Sequence, residues 1–245
     1  MESISSPHLV VLTGAGISAE SGLKTFRANE GLWENHRIED VATPEAFARN
    51  PEQVLRFYNE RREQVRRAVP NPAHLALAEL ERHGFRVSIV TQNIDDLHER
   101  AGSRNVLHLH GDILVARSSS DPALRYPLTH GDIQLGDRCE KGSQLRPDVV
   151  WFGEPVPAYG AACDIVAAAD LVLVIGTSLA VMPAAALLES APLDADVILV
   201  DPQAHDLAPP GVWSVARAAG EGIPLLVHEW QRQSRLWVPE TVIRQ

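Results

Sequence analysis

The sequence has very few cysteines. Only two occur among its 245 residues, Cys139 and Cys163, and they are too few and too isolated to form a disulfide framework. This composition fits a reducing compartment. A chain of this length can still bury a sizeable hydrophobic core, so we expect one compact folded unit.

Long hydrophobic runs are also missing. The longest apolar run, Leu171 to Ile175 with its flanks, is far shorter than the roughly 20 residues that a membrane-spanning helix needs. The N-terminal residues do not show the basic stretch and apolar segment that are typical of a secretory signal. We therefore expect a cytoplasmic protein without a membrane segment.

Positive charge is in deficit. The chain has 32 acidic and 22 basic side chains, which gives a formal net charge of −10. A surface of this sign repels nucleic acid and anionic lipid, so neither is an expected partner. The one dense basic run, residues 61–67, is typical of a solvated helix face.

Short runs of Val, Ile and Leu indicate a buried parallel sheet. Their hydrophobicity is continuous rather than alternating, which means that both faces of each strand are covered. Helix-compatible stretches lie between them, at 72–84 with a C-terminal Gly84 and at 161–170. The alternation predicts an α/β fold with a doubly wound, Rossmann-like parallel sheet. The runs are LVVL (9–12), VSIV (87–90), NVLHLH (105–110), LVLVIG (171–176) and VILV (197–200).

Two segments interrupt this alternation and predict a smaller lobe. Residues 31–70 are helical in character, whereas 112–147 are polar, turn-rich and almost without apolar periodicity. We expect both insertions to pack beside the sheet and leave a cleft between two lobes of one domain, residues 1–245. The large lobe then comprises residues of about 7–30, 71–111 and 148–230.

A glycine-rich turn follows the first predicted strand. Gly14 and Gly16 have the spacing of the first two glycines of a dinucleotide-binding loop, and Ala19 stands at the third position. Because glycine has no side chain, backbone amides of such a loop can approach a pyrophosphate at a helix N-terminus. Glycines after a strand also form simple tight turns, so this segment alone leaves both interpretations open.

Further motifs follow this loop along the chain. Together with GAGISAESG they resemble the sirtuin family, and the matches run in the family's order from Val11 to about Leu226. The resemblance implies an NAD-dependent protein-lysine deacylase that releases nicotinamide and 2′-O-acyl-ADP-ribose. The further motifs are QNID (92–95), HLHGD (108–112), RPDVVWFGE (146–154) and GTSL (176–179).

The resemblance also implies an NAD site. The glycine loop would surround the pyrophosphate and ribose, QNID would contact the nicotinamide ribose and carboxamide, and GTS would receive the adenosine half. Asn93 is grouped with the catalytic residues as well. The implied cofactor-binding residues are Gly14, Ala15, Gly16, Ser18, Phe26, Arg27, Gln92, Asn93, Ile94, Asp95, Gly176, Thr177, Ser178, Asp201 and Ala219.

His110 is the candidate catalytic base. After nicotinamide leaves, a ribose hydroxyl must lose a proton, and a neutral imidazole near its ordinary pKa suits that task. The sequence places His110 at the end of a predicted strand, before Gly111. We expect His74, His83 and His98 to be structural.

The substrate-binding residues are implied in two segments. By resemblance, the backbone of Val150, Phe152, Gly153 and Glu154 would pair with the acylated peptide as an added strand. Tyr58 and Arg61 lie three residues apart, so a helix brings a phenol and a guanidinium to one face.

This pair predicts a receptor for a carboxylate. The segments ATPEAFARNP and FYNERR resemble the sirtuin subgroup that removes succinyl and malonyl groups, whose Tyr-x-x-Arg pair binds the distal carboxylate. The sequence therefore predicts a desuccinylase and demalonylase that could retain deacetylase activity. A plain surface pair on a helix is the alternative.

The zinc-binding cysteines of most sirtuins are missing. Residues 118–120 are serines, and Cys139 is the single thiol near the second expected pair, so four thiolates cannot be assembled. A substitute site from Cys139, His130 and Asp132 or Asp137 lacks the usual spacing, and we expect no metal. Apolar packing should hold this segment instead, through Leu124, Tyr126, Leu128, Ile133 and Leu135.

Two other functions stay open from the sequence. A mono-ADP-ribosyltransferase or NAD glycohydrolase would cleave the same nicotinamide bond with a different acceptor. A non-catalytic NAD-sensing module would explain the lost zinc motif. The intact His110 and WFGE segment favour deacylation, and residues 228–245 carry no motif that indicates a role.

Overall fold

The computed structural model describes residues 7–24, 32–33, 36–129, 131–177, 182 and 184–243. Within these ranges, two 3-10 helices, Ala15–Ser21 and Ala184–Ser190, accompany the strands and α-helices. The strands are β1 (His8–Thr13), β2 (Leu32–Trp33), β3 (His36–Arg37), β4 (Arg86–Thr91), β5 (Val106–His108), β6 (Gly111–Ser118), β7 (Arg125–Pro127), β8 (Leu145–Val149), β9 (Leu171–Ile175), β10 (Asp196–Val200) and β11 (Trp213–Val215). The helices are α1 (Ile38–Val41), α2 (Pro44–Arg49), α3 (Pro51–Arg67), α4 (Pro72–Arg82), α5 (Leu97–Ala101), α6 (Tyr159–Ala167), α7 (Ala204–Leu207), α8 (Ala219–Gln233) and α9 (Glu240–Ile243).

The larger sheet has six parallel strands in the order β11-β10-β9-β1-β4-β5. The chain moves outward from β1 through β4 to β5 and then returns to the other side of β1 at β9. This reversal opens a crevice at the carboxyl ends of β1 and β9, where doubly wound proteins bind their ligands. The predicted α/β doubly wound fold is confirmed.

Apolar layers cover both faces of this sheet. Leu9 and Val11 of β1 pack into the layer that contains α4 and α8, whereas Val10 and Leu12 pack into the layer that contains α6. Because successive strand residues point to opposite faces, a strand that is buried on both sides must be apolar throughout. This explains the continuous hydrophobic runs in the sequence.

The C-terminal residues, which carry no motif, close the first of these layers. The indole of Trp230, fully buried on α8, donates a hydrogen bond of 2.7 Å to the carbonyl oxygen of Trp237. Ser234 between them has a φ of 52°, so the chain turns back at this residue after the helix. Val242 then joins the core of the sheet. This segment therefore stabilises the fold.

A smaller body consists of α1 to α3 and an antiparallel sheet in the order β7-β6-β8. Asn50 caps α3 by accepting a hydrogen bond from the amide of Gln53, and Pro51 occupies the first turn. The fully buried Arg62 of α3 donates to the carbonyl of Ile113 in β6 at 2.7 Å. The helix that carries Tyr58 is thereby fixed against the small sheet.

The segment 112–147, which we expected to be polar and turn-rich, contains strands as well as turns. Strands β6, β7 and β8 run through it, and β8 continues to Val149. Ile133, Tyr126 and Leu128 pack with residues of α3 and β6 as expected, but Leu135 is 58% exposed and Leu124 lies outside the cluster. The sequence analysis missed these strands because β6 (GDILVARS) shows no regular alternation: Ile113, Ala116 and Ser118 are buried, and its other residues are half-buried.

Hydrogen bonds join the positions where zinc ligands were sought. The thiol of Cys139 donates to the hydroxyl of Ser118 at 3.2 Å, and the hydroxyls of Ser120 and Ser143 lie 2.6 Å apart. No group of three potential metal ligands occurs within the described ranges, and His130 lies outside them.

No helix in the described part of the chain is long and apolar enough to cross a membrane.

Candidate active site

A cavity of about 220 Å³ lies at the carboxyl ends of the parallel strands and extends to α3. Its wall is formed by the glycine loop, the QNID segment, one face of α3 and the WFGE segment. The structure therefore brings together motifs that are far apart in sequence. The predicted site residues that line it are Gly14, Ala15, Ser18, Tyr58, Arg61, Gln92, Asn93, Ile94, Asp95, His110, Val150, Phe152, Gly153, Glu154, Gly176 and Thr177.

Three predicted cofactor residues lie outside this lining. Gly16 packs against Gly176 so closely that an added Cβ would lie 2.5 Å from the Cα of Gly176. Asp201 follows β10, and its carboxylate accepts from the amide of Gln203 at 2.9 Å. Ala219 begins α8 and is buried in the sheet core. Three more predicted residues, Phe26, Arg27 and Ser178, lie outside the described residues.

His110 has one ring nitrogen fixed and one available. Its Nδ1 lies 2.9 Å from the carbonyl oxygen of Gln92, which can only accept, so the proton of the neutral ring is on Nδ1. Burial lowers the pKa of His110, and the hydrogen bond to Gln92 only partly offsets this. The imidazole is therefore neutral at physiological pH, and its Nε2 carries a lone pair suited to accept a proton.

His110 does not end a strand, contrary to the sequence prediction. The strand β5 stops at His108, and the chain bends before Gly111 begins β6. Gly111 has a φ of 84°, and an added Cβ would lie 2.0 Å from the carbonyl oxygen of Asp148. Close packing of β8 against this turn therefore requires glycine after the histidine.

His108 lies outside the cavity lining but supports it from behind, a role that the sequence analysis missed. Its Nδ1 donates to the carbonyl oxygen of Asn93 at 2.9 Å and its Nε2 to the carboxylate of Glu99 at 2.8 Å. Burial lowers the pKa of His108, but the hydrogen bond and charge of Glu99, with the hydrogen bond to Asn93 and the charge of Asp112, together outweigh burial and raise it to about 9. His108 and His110 thus hold the consecutive carbonyls of Asn93 and Gln92. The spacing of two residues in HLHG was the available signal.

A buried polar cluster joins the glycine loop to the QNID segment. The hydroxyl of Ser18 donates to Asp95 at 3.0 Å and accepts from the side-chain amide of Asn93 at 3.1 Å. Burial raises the pKa of Asp95, and hydrogen bonds from Leu97 and Ser18 partly oppose the shift. The cluster presents amide donors, a hydroxyl and a carboxylate to the cavity.

These groups fit a dinucleotide with a carboxamide. The side chain of Gln92 donates to the hydroxyl of Thr177 at 3.2 Å and so links the ends of β4 and β9 beside the crevice. Hydroxyls of a ribose and the amide of a nicotinamide need both donors and acceptors, which Ser18, Asn93 and Asp95 supply. Gly14, Gly16 and Gly176 pack too tightly to admit a Cβ, which keeps backbone at the cavity surface.

Tyr58 and Arg61 line the α3 side of the cavity. The hydroxyl of Tyr58 accepts a hydrogen bond of 3.0 Å from the indole of Trp151. Arg61 donates to Gln64 at 3.2 Å and to the carbonyl oxygen of Lys24 at 3.1 Å. Both side chains are nearly inaccessible to solvent, so the two residues are not a surface pair.

The WFGE segment forms a turn that ion pairs hold in place. The carboxylate of Glu154 receives two hydrogen bonds from Arg146, at 2.6 and 3.0 Å, and one from the amide of Trp151 at 2.8 Å. Burial raises the pKa of Glu154, but the hydrogen bonds from Arg146 and Trp151 and the charges of Arg146 and Arg117 together outweigh burial, lower the pKa and keep the group ionised. The amides of Val150 and Phe152 donate to His110 and Ala42. Glu154 thus supports the turn through its side chain.

Comparisons with known proteins agree with this geometry. The sequence pattern of the Sir2 family matches residues 14–183. An NAD-dependent protein deacylase of Helicobacter pylori is 55% identical over 199 residues, covering 81% of this chain and 86% of that protein. One of Aggregatibacter actinomycetemcomitans is 57% identical over 196 residues, covering 80% and 93%.

A solved structure of a Sir2 homologue in complex with NAD has the same fold. It superposes with a TM-score of 0.84 at 45% identity, and the alignment covers 94% of this chain and 91% of that one. The family pattern begins at Gly14, in the loop that lines the cavity, and continues past Thr177 on its opposite side. Shared fold, shared motifs and the cavity they surround lead to one conclusion: the chain belongs to the Sir2 family.

Proposed function

We propose that this Sir2-family enzyme, an NAD-dependent protein deacylase, removes acidic acyl groups such as succinyl and malonyl from lysine side chains of proteins. Nicotinamide and 2′-O-acyl-ADP-ribose are the other products. One observation carries the proposal: a neutral histidine and the Tyr58 and Arg61 pair line the same cavity. The relatives named NAD-dependent protein deacylases support the reaction class.

The chain's own residues hold NAD in defined parts of the crevice. Asp95 accepts from the nicotinamide carboxamide, while Gln92 and Asn93 bind the ribose next to it. Gly176 and Thr177 receive the adenosine half. Phe26, Arg27, Ser178, Asp201 and Ala219 complete the site by the family resemblance. When bound, NAD supplies a ribose carbon that becomes electrophilic as the bond to nicotinamide breaks.

His110 acts as the base through its Nε2. The carbonyl of Gln92 keeps the ring in the tautomer with Nε2 unprotonated, and burial keeps it neutral. A ribose hydroxyl can then transfer its proton to Nε2 without prior loss of a proton from the imidazole. Asn93 supports this step by orienting the ribose, because Ser18 and His108 fix its side chain and carbonyl.

Acyl preference comes from α3. Trp33 and Val65 give the cavity apolar walls, while Tyr58 and Arg61 provide a hydroxyl and a cation. A hydrogen bond to a charged group contributes about 1.5 to 3 kcal/mol, which corresponds to roughly tenfold to a hundredfold in favour of an acidic acyl group. Acetyl groups lack this contact, so deacetylation continues at a lower specificity constant.

The substrate is the acylated lysine of a peptide that lies along the WFGE turn. We place the peptide along the backbone of Val150, Phe152, Gly153 and Glu154. The amides of Val150, Phe152 and Glu154 donate within the protein and hold this backbone in place. Main-chain contacts accept many sequences, which suits an enzyme with several targets.

We further propose that the enzyme acts in the cytoplasm and that its small sheet folds without zinc.

One experiment tests this function. The protein is incubated with NAD and a peptide that carries one succinyl-lysine, and the products are identified by mass spectrometry. Free lysine and 2′-O-succinyl-ADP-ribose in equal amounts are expected. Free ADP-ribose with an intact succinyl-lysine would indicate an NAD glycohydrolase, and an ADP-ribosylated peptide would indicate a transferase. NAD binding without any product would indicate a sensing module.

A further inference from the structure

The hydrogen bond between Trp151 and Tyr58 lies inside the cavity wall. The indole Nε1 of Trp151 is 3.0 Å from the hydroxyl oxygen of Tyr58. Trp151 is 2% exposed and Tyr58 is fully buried, so water does not compete for this contact. Both residues line the cavity at the end where we place the acyl group.

The chemistry of the two groups fixes the direction of this bond. An indole N–H can only donate, so the oxygen of Tyr58 is the acceptor. Burial raises the pKa of Tyr58 above its ordinary value, and the phenol therefore keeps its proton. That proton cannot point at the indole N–H. The described residues offer this proton no acceptor, so the direction left for donation is toward the occupant of the cavity that Tyr58 lines.

Buried ion pairs behind the turn hold the indole in this orientation. The guanidinium carbon of Arg146 lies 3.2 Å from the ring centroid of Trp151. Glu154 binds both the guanidinium of Arg146 and the amide of Trp151, and Arg117 contacts Glu154 at 3.3 Å. The indole also packs against the ring of Phe47, with 5.2 Å between the ring centroids. The donor therefore has little freedom to turn away from Tyr58.

We propose that Trp151 is a positioning residue that sets acyl specificity by forcing Tyr58 to donate its hydroxyl proton into the acyl pocket. The pocket then selects acyl groups whose far end accepts a hydrogen bond. An apolar acyl end leaves the proton of the buried Tyr58 without a partner, which disfavours binding. This inference rests on the proposed acyl preference and assigns part of it to a residue outside α3.

The inference separates two contributions to the same preference. Arg61 requires negative charge, whereas Tyr58, as oriented by Trp151, requires only an acceptor. A neutral acyl group with a terminal amide carbonyl satisfies Tyr58 without neutralising Arg61. Succinyl-lysine, its amide succinamoyl-lysine and the apolar, similarly shaped 4-methylpentanoyl-lysine therefore distinguish the two residues.

The test uses Trp151→Phe, which keeps an aromatic ring beneath Arg146 and removes the N–H. Michaelis constants and kcat are measured with NAD and the three acylated peptides. For succinyl-lysine and succinamoyl-lysine we expect KM to rise about tenfold with little change in kcat. The change for 4-methylpentanoyl-lysine should be several times smaller. Equal changes for all three peptides would show a general structural role and overturn the inference.

Tyr58→Phe and the double variant complete the cycle. Because Trp151 acts through the hydroxyl of Tyr58, Trp151→Phe should not lower the succinyl to 4-methylpentanoyl ratio further once that hydroxyl is gone. Additive losses in the double variant would overturn the inference. If Trp151→Phe does not fold, the wild-type enzyme provides the test. Its kcat/KM should be higher for succinamoyl-lysine than for 4-methylpentanoyl-lysine, and equal values would contradict the proposal.

The same kinetic measurements show whether a negative result contradicts the role of Trp151 or the proposed acidic acyl preference. A wild-type enzyme that treats succinyl and acetyl peptides alike would refute the acidic preference itself. A wild-type enzyme that prefers succinyl, together with a Trp151→Phe variant that keeps the full preference, would refute only the role of Trp151.

Discussion

The Nδ1 of His110 lies 2.9 Å from the carbonyl oxygen of Gln92, and this contact determines which ring nitrogen can act as a base. We propose as the base Nε2, which makes no hydrogen bond within the described part of the chain, so His110→Ala should lower kcat for deacylation by roughly a hundredfold to ten-thousandfold. NAD affinity, measured by calorimetry, should change only a few-fold because the imidazole acts after binding. Turnover close to that of the wild type would exclude His110 as the base.

The glycine that follows His110 gives a prediction with a matched control. Gly111 and Gly84 have φ values of 84° and 89°, but an added Cβ meets Asp148 at the first and nothing within 4 Å at the second. Gly84→Ala should therefore cost about 1 kcal/mol of stability and leave kcat unchanged. Gly111→Ala should destabilise more and reduce kcat, because the turn beside His110 must move. Denaturant titration and steady-state kinetics of both variants check this, and equal effects would contradict it.

Acid should destabilise the protein through a buried histidine. Burial lowers the pKa of His74 to about 4, from an ordinary value of 6.5. Between these values the unfolded chain binds a proton that the folded chain does not, so stability is lost as pH falls from 6.5 toward 4. The loss from this group approaches about 3 kcal/mol. Urea titrations of the wild type and His74→Gln from pH 7 to 4.5 should show a shallower decline for the variant. Parallel declines would contradict the assignment.

Zinc should be dispensable for the small sheet. Serine and cysteine side chains are hydrogen-bonded where metal ligands were sought, with Ser118 accepting from Cys139. We expect the purified protein to contain less than about one tenth of a zinc ion per chain. It should also keep its full activity after dialysis against a strong chelator. Elemental analysis that finds one zinc per chain, or unfolding in the chelator, would refute this.

Strands that are buried on both faces could be predicted from the sequence. Leu171–Ile175 is apolar throughout because helices cover both sides of β9, and its position in the sheet follows from the alternation of strands and helices. The half-buried strand Gly111–Ser118 could not be predicted from the sequence. It is stabilised by pairing with β7 and β8, and its own side chains give a weak pattern.

Motifs located much of the candidate site, but not its supporting contacts. The spacing of Tyr58 and Arg61 placed both on one face of α3, and both line the cavity. The bond from Trp151 to Tyr58 joins residues 93 positions apart, and no local pattern reports such a pair. The motif HLHG contained a signal for His108 but not for its contact with Glu99 of α5, which forms once β5 has paired with β4.

The pair on α3 carries the central claim, and one substitution tests it most directly. Arg61→Met removes the cation but keeps a long apolar side chain in the cavity wall. Arg56→Met is the control, because Arg56 lies on the same helix, is exposed and does not line the cavity among the described residues. The control should leave all rates near those of the wild type.

The decisive measurement is kcat/KM of the Arg61→Met variant with succinyl and acetyl peptides of one sequence. A bond to a charged group contributes about 1.5 to 3 kcal/mol, so the value for succinyl-lysine should fall by roughly tenfold to a hundredfold. The value for acetyl-lysine should fall far less or rise. Equal losses on both peptides would mean that Arg61 supports the fold through Lys24 and Gln64, and the acidic acyl preference would be contradicted.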